Sequence, residues 1–286
     1  AYEFIKVSIT AYSLTAVMGG LLLFCLVLFY PDLFRYMGII FKDSMFYYAL
    51  LFFAESAVLY IYYYGWHWLQ GGFKKWVHLT LGLLLNAVGT TLMLLANAWL
   101  TFMMSPAGVD AAGVFGGDAW AAIHNFLWNP INIHRFIANI AYGGSIVGAY
   151  AAFKFLTARN AQEKAHYDWM GYNANFIAIC ALLPLPFAGY YLAAEIYAYS
   201  QQMGITLMGG LFAWLFIIQA VLIGTLFLSA NYYLWCGMGR SDGAKRYNKY
   251  IKYIAIVLIG AFLVWFTPHT LVLTNEELKA LGGPHH

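Results

Sequence analysis

The sequence predicts an all-α fold, a polytopic bundle of about seven transmembrane helices with the N-terminus cytoplasmic and the C-terminus outside. Three observations predict it. Hydrophobic residues make up 63% of the 286 positions and charged residues only 9%, where a soluble domain carries roughly 25% charged. The apolar residues gather into runs of the roughly 20 residues that a helix needs to cross the hydrocarbon core. The links between the runs are mostly short, and their Lys and Arg concentrate in alternate links, on one side of the bundle. Aromatics at 19%, with 23 Tyr and 10 Trp, suit interfacial belts and packing around something large and flat.

The runs fall at 7–30, 44–66, 76–102, 131–156, 172–195, 205–235 and 250–267. The first is uncharged from Val7 to Tyr30, and the preceding Tyr2-Glu3-Phe4 does not look like a secretory signal, so it is expected to be a retained span. The second has a single charge, Glu55, near its middle. The third is uncharged from Trp76 to Ser105. Between the third and fourth lies the longest link, 107–130, rich in Gly and Ala and closed by Trp128-Asn129-Pro130. The fourth opens with His134 and Arg135, the fifth ends at Glu195, the sixth is uncharged, and the seventh has Lys252 near its start. Short links make consecutive helices antiparallel neighbours. No internal repeat and no separate soluble domain is evident, so residues 1–286 read as one integral membrane domain, and a transporter built on inverted repeats is the weaker reading.

Orientation follows from the basic residues of the short links. Lys74 and Lys75 lie between spans two and three, and Lys154, Arg159 and Lys164 flank the link between four and five. Arg240, Lys245, Arg246, Lys249 and Lys252 crowd the link between six and seven. These all fall on the side of the N-terminus and Lys6. The opposite side has only Arg35, Lys42, Arg135 and Lys279. The expected location is the cell inner (cytoplasmic) membrane, crossed several times, with lipid around the bundle.

A formal net charge of +3 gives no reason to expect a nucleic-acid partner. Cys25, Cys180 and Cys236 form no CxxC or CxxCH, which excludes covalent haem c attachment by the usual motif and gives no disulfide framework. Histidine is therefore the side chain to follow for cofactor binding. His67, His78 and His166 sit near helix ends on the cytoplasmic side, where an interfacial histidine needs no special explanation. His285 and His286 are terminal. On the outer side lie His124, His134 and His269. His134 stands about one turn inside the expected membrane boundary, and Arg135 beside it could pair with a haem propionate. Ala138, Tyr142 and Ser145 follow it at i+4, i+8 and i+11, and Gly143 and Gly144 are close by. Small residues there would let a flat cofactor approach, or equally another helix. His269, in Phe266-Thr267-Pro268-His269, is a candidate opposing ligand. Met104, with Met103, is the alternative at the outer end of span three.

Glu55 is costly in an apolar helix and marks a functional position by default. It is a structural hydrogen-bonded carboxyl or a proton relay. Asn86 and Asn97 read first as hydrogen bonds across helices. Glu195 with Tyr199, Gln201 and Gln202 forms either a polar pocket for a quinol head group or a solvated loop.

Several of these residues occur together in a known order. Phe52-Phe53-Ala54-Glu55-Ser56, Tyr64-Gly65-Trp66, His78, Ala96-Asn97-Ala98-Trp99 and Pro106 resemble the third and fourth helices of subunit I of cytochrome bd-type quinol oxidases. Asn129-Pro130 leading into Arg135-Phe136-Ile137 and a Gly-rich span extends the likeness, which is good over 44–157 and fainter over 7–43. The departures bear on function. Span one is similar to the family's second helix, so the family's first helix, with the histidine that ligates the oxygen-reducing haem, has no counterpart. A second family acid falls on Tyr47, and the low-spin haem histidine falls on Ala138, one turn from His134. The long quinol-binding loop is missing, and Asn231 stands where the family has a haem-ligating Glu.

The resemblance implies a membrane electron-transfer subunit of a respiratory complex, moving electrons between quinol and a redox partner on the outer side, without itself reducing oxygen. The partners it implies are other membrane subunits and a c-type cytochrome. It implies one haem b, with His134 as iron ligand, Arg135 on a propionate, and His269 or Met104 as sixth ligand, together with a quinone. Glu55 is then a proton relay or the remnant of one. The alternative is a cofactor-free structural anchor subunit of such a complex.

Overall fold

The structure is a computed structural model that describes residues 2–110, 112–208 and 213–237. Among the described residues the regular elements are all helices, with one isolated antiparallel bridge between Val109 and Phe115. Six helical stretches are long and apolar enough to cross a membrane: Tyr2–Phe29, Lys42–Tyr64, Gly72–Met104, Trp128–Thr157, Ala161–Tyr199 and Ile217–Gly237. The expected seventh span at 250–267, the basic link before it and the tail with His269 lie outside the described residues. The chain forms two compact units, Ala1–Asn132 and Ile133–His286.

In the first unit, α1 (Tyr2–Phe29) stops at Tyr30. The residue before a proline avoids the helical region, and Tyr30 sits at φ −134°, ψ 55° ahead of Pro31. Pro31 then opens α2 (Pro31–Ile40) from the first turn, where its missing N–H costs nothing. α2 buries Met37 and Ile40, and these pack with Phe41, Ala98, Phe102 and Ala122 in one apolar cluster. α3 (Lys42–Tyr64) and α4 (Gly72–Met104) form an antiparallel hairpin closed by Gly71 and Gly72, both at positive φ, where a side chain would be strained. At 33 residues, α4 is about 50 Å long, more than the ~30 Å core requires. Its C-terminal turns run on into the link 105–127. There Asp110 accepts from the N–H groups of Ala112 and Val114, and Asp118 caps the short α5 (Ala119–Ile123) by accepting from Ala121 N. Tyr36 of α2 donates to Gly113 O at 2.7 Å and ties the link down.

α6 (Trp128–Thr157) begins in the first unit and supplies the second with most of its length. α7 (Ala161–Leu182) starts well before the span expected at 172, because Asn160 caps it. The Asn160 side chain accepts from Glu163 N, and the Glu163 carboxylate accepts from Arg159 N, a reciprocal arrangement close to a capping box. α8 (Leu185–Tyr199) follows at Pro184 and Pro186, where the missing N–H groups and ring clashes break the helix. The run expected as one span at 205–235 holds the end of α9 (Gln201–Met208) and most of α10 (Ala213–Gly237). Ile179, Leu182, Phe227, Ala230 and Leu234 with Ala141 form the core of this unit.

Candidate functional site

Chemistry-bearing side chains collect in two places, one in each unit. In the first, Glu55 points from α3 against α4. Its Oε1 lies 2.8 Å from where a Cβ on Gly89 would stand, so the carboxyl occupies the notch that this glycine leaves. Across from it, Tyr12 of α1 lies beside the carboxyl. Ser56 donates to Phe52 O at 2.8 Å, which leaves its oxygen to accept from the Tyr12 hydroxyl at 2.7 Å. Glu55 is half-buried, and a hydroxyl, a glycine and an aromatic neighbour, Tyr48, surround it. Tyr47, where the family's second acid would fall, is exposed.

The histidines of this unit have structural partners. His78 Nε2 bonds to Tyr62 O at 3.0 Å, and its ring packs on Tyr62 and Trp66. It thereby satisfies a carbonyl at the end of α3 that has no helical partner. His124 lies between the rings of Trp120 and Trp128, with centroids at 3.7 and 4.4 Å, and its Nδ1 bonds to Trp120 O. His67 packs edge-on to Tyr2. Met104, at the end of α4, is half-buried, and Met103 is exposed.

In the second unit, His134 lines a cavity of ≈ 140 Å³ formed by α6, α7, α8 and α10. Ala138 lies one turn along α6, Leu182, Leu185 and Pro186 close one side, and Gln219, Ile223, Gly224 and Phe227 the other. The ring edge carrying Nε2 faces Gly189 of α8, 3.7 Å from where a Cβ would stand. Among the described residues no hydrogen bond engages the His134 ring. Arg135, its neighbour in sequence, is exposed. His134 and Ala138 thus share a wall as their spacing predicts, whereas Tyr142 is exposed. Gly144 serves a helix: a Cβ there would stand 2.9 Å from Ala174 O and Ala178 N of α7. Glu195 is half-buried on α8, and Tyr199, Ser200 and Gln201 mark the break into α9. The residues that sequence reasoning missed are Gln219 and Gly224. Gln219 is a polar residue inside an otherwise apolar run, and that was the available signal. Asn97 does bond across helices as expected, to Asn132 at 2.7 Å, and the wider polar cluster around it was not foreseen.

Among the described residues no three His, Cys, Asp or Glu side chains gather into a metal-holding group. Comparison with curated proteins and with solved structures found no match. The sequence model of cytochrome bd terminal oxidase subunit I matches residues 1–219, which takes the likeness past both ends of 44–157 and through α1 to α9. Proteins of that kind are haem- and quinol-binding components of membrane oxidase complexes that include other subunits. With a match over more than half its length and six apolar helices of spanning length, the chain belongs to the cytochrome bd terminal oxidase subunit I family.

Proposed function

We propose that this chain is an electron-transfer subunit of a respiratory complex in the cytoplasmic membrane, passing electrons between quinol and a redox partner on the outer side and not itself reducing oxygen. The observation that carries the reading is His134: an imidazole without a hydrogen bond among the described residues, lining a cavity together with the small residues Ala138 and Gly224. An imidazole in that condition suits haem iron in kind, and His134 would be the residue to hold it. A haem b bound there would supply a one-electron way-station between quinol and acceptor. His134 would hold the iron, the Arg135 guanidinium would pair with a propionate, and the small side chains would leave the ring face open. His269 or Met104 would be the second protein ligand in this proposal. Glu55 is proposed as a proton relay or the remnant of one, with the Tyr12 hydroxyl beside its carboxyl.

The test is reduced-minus-oxidised spectroscopy with pyridine-haemochrome quantitation of the purified complex. Wild type should show one haem b assignable to this chain. His134→Ala should abolish that band, and Glu55→Gln should leave it in place. A band that survives His134→Ala overturns the ligand assignment.

A second reading, a cofactor-free subunit that anchors its partners, is favoured by the size of the cavity. At ≈ 140 Å³ it is well below the roughly 300–1,000 Å³ typical of ligand sites, so a macrocycle would require α10 to separate from α6 and α8. Absence of haem from the wild-type chain in the same measurement would decide for the anchor.

A further inference from the structure

We propose that the side-chain amide of Asn132 binds an ordered water molecule inside the 1–132 unit, at one end of a buried polar ladder on α4. The ladder is made by Asn97, Thr101 and Ser105, spaced four apart and so on one face of the helix. Asn97 and Thr101 are 0% exposed and Ser105 is 1% exposed. Thr101 donates to Asn97 O at 2.7 Å and Ser105 to Thr101 O at 3.0 Å, so each hydroxyl turns back onto the preceding rung. Asn125, from the link before α6, brings its amide to the ladder. Its Oδ1 lies 3.0 Å from Ser105 Oγ, and its Nδ2 donates to Ala122 O and Ala98 O. Leu127 N donates to Ser105 Oγ at 3.3 Å. Asn132, on the first turns of α6, closes the cluster by accepting from Asn97 Nδ2.

One atom is left over. Asn132 is 7% exposed, its Nδ2 is fully enclosed, and among the described residues nothing accepts from it. Exchanging nitrogen and oxygen in both amides would keep the 2.7 Å bond and only turn the orphaned donor into an orphaned acceptor. The unmet hydrogen bond therefore belongs to the Asn132 amide whichever way the two amides are turned. Buried amide groups are almost always paired, with protein or with ordered water, and the demand is stronger at membrane depth, where bulk water is absent. Water fits both assignments, since it accepts and donates. The molecule would complete the contact that joins α4, the 105–127 link and the start of α6.

The inference is independent of the haem reading. It is tested by a cryo-EM map of the purified complex at a resolution that shows water. The expected result is an isolated peak at hydrogen-bond distance, about 2.7–3.2 Å, from the Asn132 amide, lost from the map of Asn132→Leu. An amide with no neighbouring density, or one bonded to a partner subunit, a lipid head group or another side chain, overturns it. If Asn132→Leu fails to accumulate, the wild-type map alone decides.

Discussion

Gly144 and Gly148 stand one turn apart on α6, yet their replacement should have different consequences. A Cβ on Gly144 meets backbone atoms of α7, Ala174 O and Ala178 N, both at 2.9 Å. Backbone cannot yield without moving the helix, so Gly144→Ala should destabilise the α6–α7 pair by about 1–3 kcal/mol, the usual range for overpacking. A Cβ on Gly148 meets the Asn175 amide at 3.0 Å. That is the end of a side chain, held by one bond from Nδ2 to Gly171 O, and it can rotate aside. Gly148→Ala should therefore cost less, up to the ~1 kcal/mol of a hydrogen bond. Thermal unfolding of the two variants in one detergent checks the order, and equal losses would show that α7 itself can shift. Gly89 makes a related case on α4. Gly89→Val would push on the Glu55 carboxyl, so it should disturb whatever Glu55 does while leaving a haem band at His134 untouched, as difference spectra of that variant would read. At this scale the sequence showed where chemistry could sit and not what each residue would meet. His134 and Ala138 were legible as neighbours because four residues turn a helix by little more than one circle. Tyr142 was placed with them and is exposed, because eight residues at 3.6 per turn have drifted roughly 80° off the face. Asn132 escaped notice because its partner Asn97 is 35 positions away, and no local pattern announces such a pairing.

The helices themselves were more readable than their joints. Hydrophobic length is a property of the chain alone, so the first five expected spans each recur as a long helical stretch, and the sixth recurs as α10. The breaks followed local chemistry that hydropathy does not weigh, namely Pro31 after Tyr30, Pro184 with Pro186, and the Asn160 cap that starts α7 early. Once the spans stand, side-chain ties set their pairing. α7 and α10 are joined through Tyr233, whose hydroxyl lies 2.6 Å from Asp168 Oδ1 and 3.0 Å from Asp168 O. A hydroxyl donating to a carboxylate contributes about 1.5–3 kcal/mol. Tyr233→Phe keeps the ring and removes this tie, so it should lower the unfolding midpoint, and its effect should exceed that of removing a neutral pair. His78→Phe is the comparison within the other unit. It keeps the ring packing on Tyr62 and Trp66 and loses only the bond to Tyr62 O, for about 0.5–1.5 kcal/mol. Chemical denaturation of both variants would settle the order, and a larger loss at His78 would mean that its role is more than closing the end of α3.

For the molecule as a whole, the surface is that of a protein solvated by lipid or by other subunits. Along α1, Leu14, Val17, Leu22 and Phe24 are each more than half exposed, and the apolar window of that helix is 0% buried. Surface of this kind fixes depth in the bilayer and says nothing about direction, because hydrocarbon is the same from either side. Direction comes from charge. Among the described spans, the links at 65–71 and 158–160 emerge on one face if each span crosses once, and the long link 105–127 emerges on the other. Lys74, Lys75, Lys154, Arg159 and Lys164 flank the first pair of links, whereas 105–127 has Asp110 and Asp118 and no Lys or Arg. Positive charge is retained on the cytoplasmic side of short links, so the first pair should be cytoplasmic and 105–127 outside. In a chain with Cys25, Cys180 and Cys236 replaced, a single cysteine at Gly117 should react with a membrane-impermeant maleimide in intact cells. One at Gln162 should react only after the membrane is opened. Gly117 and Gln162 are both exposed, so a failure to label would not reflect burial. The opposite pattern would put His134 on the cytoplasmic side and remove the outer redox partner from the proposed function, while leaving the haem assignment to be judged on its own spectrum.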